Sequence, residues 1–290
     1  MSGSLTPDQI DAYRRDGFLC PLPVFDAEET QGHRAVFEGL ETRFADTLPR
    51  PVSDYCRTNS HIVIEQARQI ATDDRVLDAV ESVLGPDLML WSVEYFIKEP
   101  GTDKVVSWHQ DITYWGMGET DHEVTAWLAL SPASNEAGCM RFVPGSHQSS
   151  VVDHRDTFAE DNLLSRGQEI AVDVDEADAV VAALKPGEMS LHHGRLFHAS
   201  GPNTTDDRRI GCVMRFIRPD TPATGKGRDY AMLVRGCDRS MSRVNMVPPA
   251  GNFSTAALTL YEEVLCAQAA TLTEGAVETV GQYEPQQAVG

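Results

Sequence analysis

Between residues 88 and 216 the chain is cut into short apolar runs, each closed by a turn, and this pattern restricts the fold more than any other feature. Leu88-Met89-Leu90-Trp91-Ser92-Val93-Glu94-Tyr95-Phe96-Ile97 is dense in strand formers, and Pro100-Gly101-Thr102-Asp103 turns the chain. Strands are predicted over 105–111, 124–130 and 139–143, the last stopped by Pro144-Gly145-Ser146-His147. Further strands are predicted over 170–174, 180–184, 189–193, 197–198 and 210–216. Residues 148–168 are polar and irregular, which reads as a long loop over one face. Many short strands with frequent turns predict a sandwich or barrel.

The flanks read differently. Thr6-Pro7-Asp8-Gln9 is a helix start: Thr6 caps, Pro7 suits the first helical position, and Gln9 completes a capping box. Leu5 and Ile10 sit where a hydrophobic staple would pack, and Gly17 ends the helix before a short strand at 18–20. Further helices are predicted over 26–44, with Glu28 and Glu29 favouring its start, then over 61–71 and 75–84, the last stopped by Gly85-Pro86. Residues 219–253 are rich in Gly, Pro, Arg and Asp and read as loops. A final helix is predicted over 255–270, followed after Thr273 by a mobile tail. The whole reads as one domain, with a helical part at about 5–86, a β core at about 88–218, and a loop and helix at 219–272.

With 290 residues, 41% of them hydrophobic, the chain can bury a full core. Its net charge of -20 argues against nucleic acid or an anionic membrane as a partner, since both would repel it. No run of apolar residues reaches membrane-spanning length, and Met1-Ser2-Gly3-Ser4-Leu5-Thr6 lacks the features of a signal peptide. The six cysteines (Cys20, Cys56, Cys139, Cys212, Cys237, Cys266) show no paired spacing. They read as free thiols of a cytoplasmic protein.

Within the β region, Ser107-Trp108-His109-Gln110-Asp111 carries an imidazole and a carboxylate two residues apart. On a strand, i and i+2 share a face, so His109 and Asp111 could grip one metal ion. His198, in Leu196-Phe197-His198-Ala199-Ser200-Gly201-Pro202-Asn203, is the natural second nitrogen donor. Two His and one carboxylate on one face of a metal leave three positions open, the arrangement of non-heme Fe(II) oxygenases. Arg209 follows His198 by eleven residues.

Several segments together resemble the phytanoyl-CoA dioxygenase family of Fe(II)/2-oxoglutarate oxygenases. They are Phe96-Ile97-Lys98-Glu99-Pro100-Gly101, Trp108-His109-Gln110-Asp111, Trp127-Leu128-Ala129-Leu130, Gly138-Cys139-Met140-Arg141-Phe142-Val143-Pro144-Gly145-Ser146-His147, and His198-Ala199-Ser200-Gly201-Pro202-Asn203 with Arg208-Arg209. The resemblance covers roughly residues 5–265. It implies a double-stranded β-helix, a cupin-like jelly roll mainly of β structure with flanking helices. It implies His109, Asp111 and His198 as ligands of Fe(II), and Arg209 as the partner of the far carboxylate of 2-oxoglutarate. O2 would be the second cosubstrate, and hydroxylation with release of succinate and CO2 the reaction. Related halogenases carry a small residue in place of the carboxylate, so Asp111 favours hydroxylation.

Other residues have two readings. Gln110 points away from the ligands on an ideal strand, but a twist at the strand end would bring its amide toward 2-oxoglutarate. Thr125 and Trp127 share one strand face and either line the cosubstrate pocket or belong to the core. Family spacing selects Arg209 over Arg208, which reads as a surface charge. His192 and His193 read as wall or packing residues, His147 as a loop residue, and His61, His122 and His154 as surface residues. Glu94 stands where family members vary and could be specific to this protein's substrate. Arg228, Arg235, Arg239 and Arg243 would either meet an anionic substrate or decorate a solvated loop. The triad alone also fits a cupin-like protein using another metal for non-oxidative chemistry, a scheme in which a dedicated cation at Arg209 has no place. A third reading is a non-catalytic binding protein, against which the intact triad counts.

Overall fold

The structure is a computed structural model that describes residues 3–276 together with Glu278, Val280 and Tyr283. The tail expected after Thr273 lies mostly outside the described residues. Helix α1 (Pro7–Asp16) starts with the expected capping box: Thr6 Oγ1 accepts from the Gln9 amide at 3.3 Å, and Gln9 Oε1 from the Thr6 amide at 2.9 Å. Gly17, at φ 82°, closes it in the left-handed region and leads into β1 (Phe18–Pro23). A second capping box, Asp26 with Glu29, opens α2 (Ala27–Phe44). Helix α3 (Val52–Arg57) is not foreseen by the sequence; it is short and begins after Pro51 without a side-chain cap. The single helix expected over 61–71 is two, α4 (Ser60–Val63) and α5 (Glu65–Ala71), because the chain is extended at Ile64. Helix α6 (Asp74–Leu84) then leads into the β region.

The strands are β2 (Leu88–Lys98), β3 (Val106–His109), β4 (Glu123–Ala129), β5 (Met140–Phe142), β6 (His154–Arg155), β7 (Glu169–Ile170), β8 (Val180–Ala182), β9 (Glu188–His192), β10 (His198–Ser200), β11 (Arg209–Ile217), β12 (Tyr230–Arg235) and β13 (Val244–Asn245). Helix α7 (Thr255–Leu272) follows. Two expectations are corrected here. The strand predicted over 170–174 shrinks to β7, and the region 219–253 is not all loop but contains β12 and β13. Strand β12 extends the large sheet by pairing with β2.

Seven strands form one sheet in the order β1-β9-β4-β11-β2-β12-β13, and four form a second in the order β3-β10-β5-β8. Together they make a double-stranded β-helix. Strand alternation divides β11 cleanly. Ile210, Cys212, Met214 and Phe216 join the main core with the helices, while Trp127 and Val213 join a second cluster with Phe142 and Ala182 of the small sheet. The inner face of the large sheet is therefore a grid fixed by register. Lys98 lies opposite Arg209, Phe96 opposite Gly211 and Glu94 opposite Val213. On the other side of β11, Val213 lies opposite Trp127 and Arg215 opposite Thr125.

The segment predicted as a long loop over 148–168 contains the short strand β6 and is tied to α7 by Arg166. Arg166, fully buried, donates to the carbonyls of Leu272 and Glu274 at the end of α7, and its guanidinium sits 4.1 Å from the Tyr114 ring centroid.

Candidate active site

Strand β3 ends at His109, and Asp111 begins a 3-10 turn spanning Asp111–Tyr114. The expectation that both lie on one strand face is thus corrected: the turn, not the pleat, brings the carboxylate back beside the imidazole. His198 is the direct antiparallel partner of His109 across β3 and β10, so the two rings share a face. His109 Nδ1 lies 2.9 Å from the Ser107 carbonyl and His198 Nδ1 3.0 Å from the Leu196 carbonyl. A carbonyl only accepts, so each Nδ1 carries the proton and each Nε2 is left as a lone pair. Those Nε2 atoms lie 3.5 and 3.9 Å from Asp111 Oδ1. One ligand atom from each of His109, Asp111 and His198 falls within 4.8 Å of the others, the only such group among the described residues. Two imidazole Nε2 atoms and a carboxylate converging on one point fit a divalent transition metal.

Electrostatics agree with that use. Burial pushes His198 well below the ordinary histidine range, so it stays neutral. Burial works against the Asp111 carboxylate, but His109 and His192 outweigh it and hold it well below its usual range. Thr125 donates to Asp111 Oδ2 at 3.1 Å. His192 also faces this atom, with Nε2 at 3.4 Å. It forms part of the site wall, as expected. His193 does not: it is buried against Asp121, at 3.1 Å.

The site opens into a cavity of about 440 Å³ between the sheets. Arg209 lies at one end, only 1% exposed, with Nη1 donating to the Gly138 carbonyl at 2.5 Å. Its guanidinium lies 5.3 Å from the Trp127 ring centroid and 5.7 Å from that of Phe96. Burial lowers it only to about 10, so it stays charged at neutral pH. Arg208 borders the same cavity but is engaged by Glu41 and Glu99. Lys98, which the sequence reading did not single out, lies beside Arg209 and donates to Ser200 Oγ at 2.8 Å. Burial, with Arg209 nearby, pushes its ammonium down to about 6.

Gln110 points away from the ligands, the first of its two readings, and does not reach toward the cosubstrate end. Its Nε2 donates to the Arg195 carbonyl at 2.8 Å and its Oε1 accepts from the Val152 amide at 2.9 Å, so it staples the long loop and does not line the cavity. His61 is not a surface residue: it is fully buried in the helical core, and burial lowers its pKa to about 3. Arg235 and Arg243 are committed elsewhere, Arg235 to Asp74, Asp78 and Glu81 and Arg243 to Asp229. None of Arg228, Arg235, Arg239 and Arg243 lines the cavity.

The sequence profile of the phytanoyl-CoA dioxygenase family matches residues 13–211. The chain belongs to this family. A probable alpha-ketoglutarate-dependent hypophosphite dioxygenase of Stutzerimonas stutzeri is 27% identical over 197 residues, covering 66% of this chain and 68% of that protein. The human peroxisomal phytanoyl-CoA dioxygenase is 26% identical over 234 residues, covering 74% and 69% respectively. The apo structure of the non-heme monooxygenase ThoJ matches with a TM-score of 0.83 at 32% identity, over 92% of this chain and 98% of that one. CytC3 with Fe(II) and alpha-ketoglutarate has the same fold, with a TM-score of 0.66 at 20% identity. Like other phytanoyl-CoA dioxygenase family members, the protein is a non-heme Fe(II)/2-oxoglutarate-dependent dioxygenase. No helix among the described residues is long and apolar enough to cross a membrane.

Proposed function

We propose that the protein hydroxylates a small-molecule substrate with His109, Asp111 and His198 as the Fe(II) ligands. One observation carries the reading: two carbonyl-locked imidazoles and Asp111 share a cavity with a buried, charged arginine. In the overall reaction one oxygen atom of O2 enters a C–H bond of the substrate. The other enters the succinate formed from 2-oxoglutarate, and CO2 leaves. The bound iron supplies the activation of O2.

The chain supplies orientation. Ser107 and Leu196 fix the tautomers and ring planes of the two histidines, and Thr125 fixes the free oxygen of Asp111. Arg209 takes the far carboxylate of 2-oxoglutarate, and its remaining N–H groups offer the paired geometry a carboxylate prefers. Lys98, held on Ser200, lies close enough to offer an amine N–H to that end of the pocket. Phe96 and Trp127 wall Arg209 off from water, which strengthens its attraction for the anion.

Anaerobic protein with Fe(II) should develop the weak charge-transfer band of chelated 2-oxoglutarate, and turnover should release succinate. With an identified substrate, 18O2 and saturating chloride, the product should gain one 18O and no chlorine, because Asp111 occupies the position a halide would need. A chlorinated product would refute the assignment. Absence of the band would favour the alternative of a cupin-like protein with other chemistry.

A further inference from the structure

Glu94 and Arg215 form an ion pair inside the cavity, beside the candidate metal site and at the opposite end from Arg209. The register explains the placement. Glu94 faces inward opposite Val213, and Arg215 faces inward opposite Ser92 on one side and Thr125 on the other. Arg209 and Arg215 share one face of β11 and both line the cavity, their backbone positions roughly 20 Å apart by strand rise. Trp115 stacks on Arg215, 4.9 Å from its ring centroid to the guanidinium carbon. The side chains of Glu94 and Arg215 are 14% and 13% exposed, and Arg215 Nε is buried without a partner.

This pair does no evident structural work. Strands β2 and β11 already pair from Arg209 to Ile217, so the ladder holds them together without it. Burying two charges costs desolvation that their mutual attraction rarely returns, and an apolar pair would serve the core better. Beyond the positive charge that Arg215 lends near Asp111, the 2-oxoglutarate reading uses neither residue.

We propose that Glu94 and Arg215 bind the primary substrate, and that this substrate carries a protonated amine and a carboxylate on one carbon: a free α-amino acid. The inference rests on the dioxygenase reading above and adds to it the class of substrate. A ligand with a single charge would meet a like charge as closely as an opposite one. A dipolar head group satisfies both, its ammonium on Glu94 and its carboxylate on Arg215. Because the two side chains are in direct contact, the ligand's charges must be adjacent rather than separated by a long chain. The rest of the molecule then lies against Trp115 and Tyr114, which line the same cavity.

The test is calorimetry on anaerobic protein loaded with Fe(II) and 2-oxoglutarate, using the common L-α-amino acids as probes. Each binder is compared with its matching α-hydroxy acid and its decarboxylated amine. At least one amino acid is expected to bind, with both analogues weaker by roughly 30-fold or more, the usual effect of leaving a buried charge unpaired. Glu94→Gln and Arg215→Met should each abolish that preference while keeping the 2-oxoglutarate charge-transfer band. The double variant, which buries no lone charge, guards against misfolding of the singles. If no amino acid binds while the band is intact, or if the double variant binds as wild type does, the proposal is overturned. A wild-type protein without the band overturns the dioxygenase reading, and this inference with it.

Discussion

His109 and His198 face each other as partners across the β3–β10 pair, with ring centroids 4.0 Å apart. Each is held by a backbone carbonyl of its own chain segment, so the pair is set before any ion arrives. His109→Ala, Asp111→Ala and His198→Ala should each abolish turnover and most Fe(II) binding, read by metal analysis after desalting, while circular dichroism stays native. His193→Ala should keep its iron, because that imidazole is spent on Asp121. Equal iron loss from His193→Ala and His198→Ala would refute the ligand assignment.

The two adjacent arginines should separate in kinetics. Arg209→Ala is expected to raise the KM for 2-oxoglutarate roughly 30-fold or more, for a loss of about 2–5 kcal/mol on removing a buried charged partner. Arg208→Ala removes contacts to Glu41 and Glu99 and should leave that KM within a few-fold of wild type. The inverse result would mean that the outer arginine holds the cosubstrate.

Gly211 leaves room for the Trp127 indole. A Cβ built on it would lie 2.0 Å from Trp127 Cζ2, well inside contact distance. Gly211→Ala should therefore cost about 1–3 kcal/mol of stability through overpacking. It should also push Trp127 from its place over Arg209 and weaken 2-oxoglutarate binding. Denaturant melts and a titration of the cosubstrate test both halves. A variant with native stability and native binding would show that the strand can shift to absorb the methyl group.

Glu123 predicts a pH dependence of stability. Burial, with Asp111 nearby, pushes its carboxyl from 4.5 up to about 8. The folded protein therefore keeps a proton that the unfolded chain releases, and stability falls as pH rises through that window. One Glu123 oxygen accepts from the Gly194 amide and the other has no partner. Glu123→Gln preserves the first contact and removes the titration. In metal-free protein, the Tm of wild type should drop relative to Glu123→Gln between pH 5 and pH 8. A constant difference would place the proton elsewhere.

The chemistry-bearing residues were more legible in the sequence than the geometry that joins them. His109, Asp111, His198 and Arg209 stand out by type and spacing, yet the shared strand face that linked the first two is really a strand end and a 3-10 turn. Spacing reports that two side chains can meet but not which backbone conformation does it. Strand β12 was hidden because its apolar run, Tyr230–Arg235, sits among turn-forming residues and pairs only with distant β2 and short β13. Arg215 belongs to no motif, and only its even spacing from Arg209 along the strand marks the face that the two share. Lys98 was visible within a family segment, but only the register shows that it lies beside Arg209. His61 carried no signal, since nothing local marks a histidine destined for a core.

The Arg166 side chain makes the wall of the cavity and the end of α7 a single mechanical element. Its hydrogen bonds to Leu272 and Glu274, and its stacking on Tyr114, link three segments that all border or adjoin the substrate space. Such a clasp opens as a unit or not at all, since releasing the loop strands a buried guanidinium. Entry of a molecule beneath the loop and fraying of the last helical turn are then one event with one rate. An arginine far from the iron would set how often the pocket exchanges its contents.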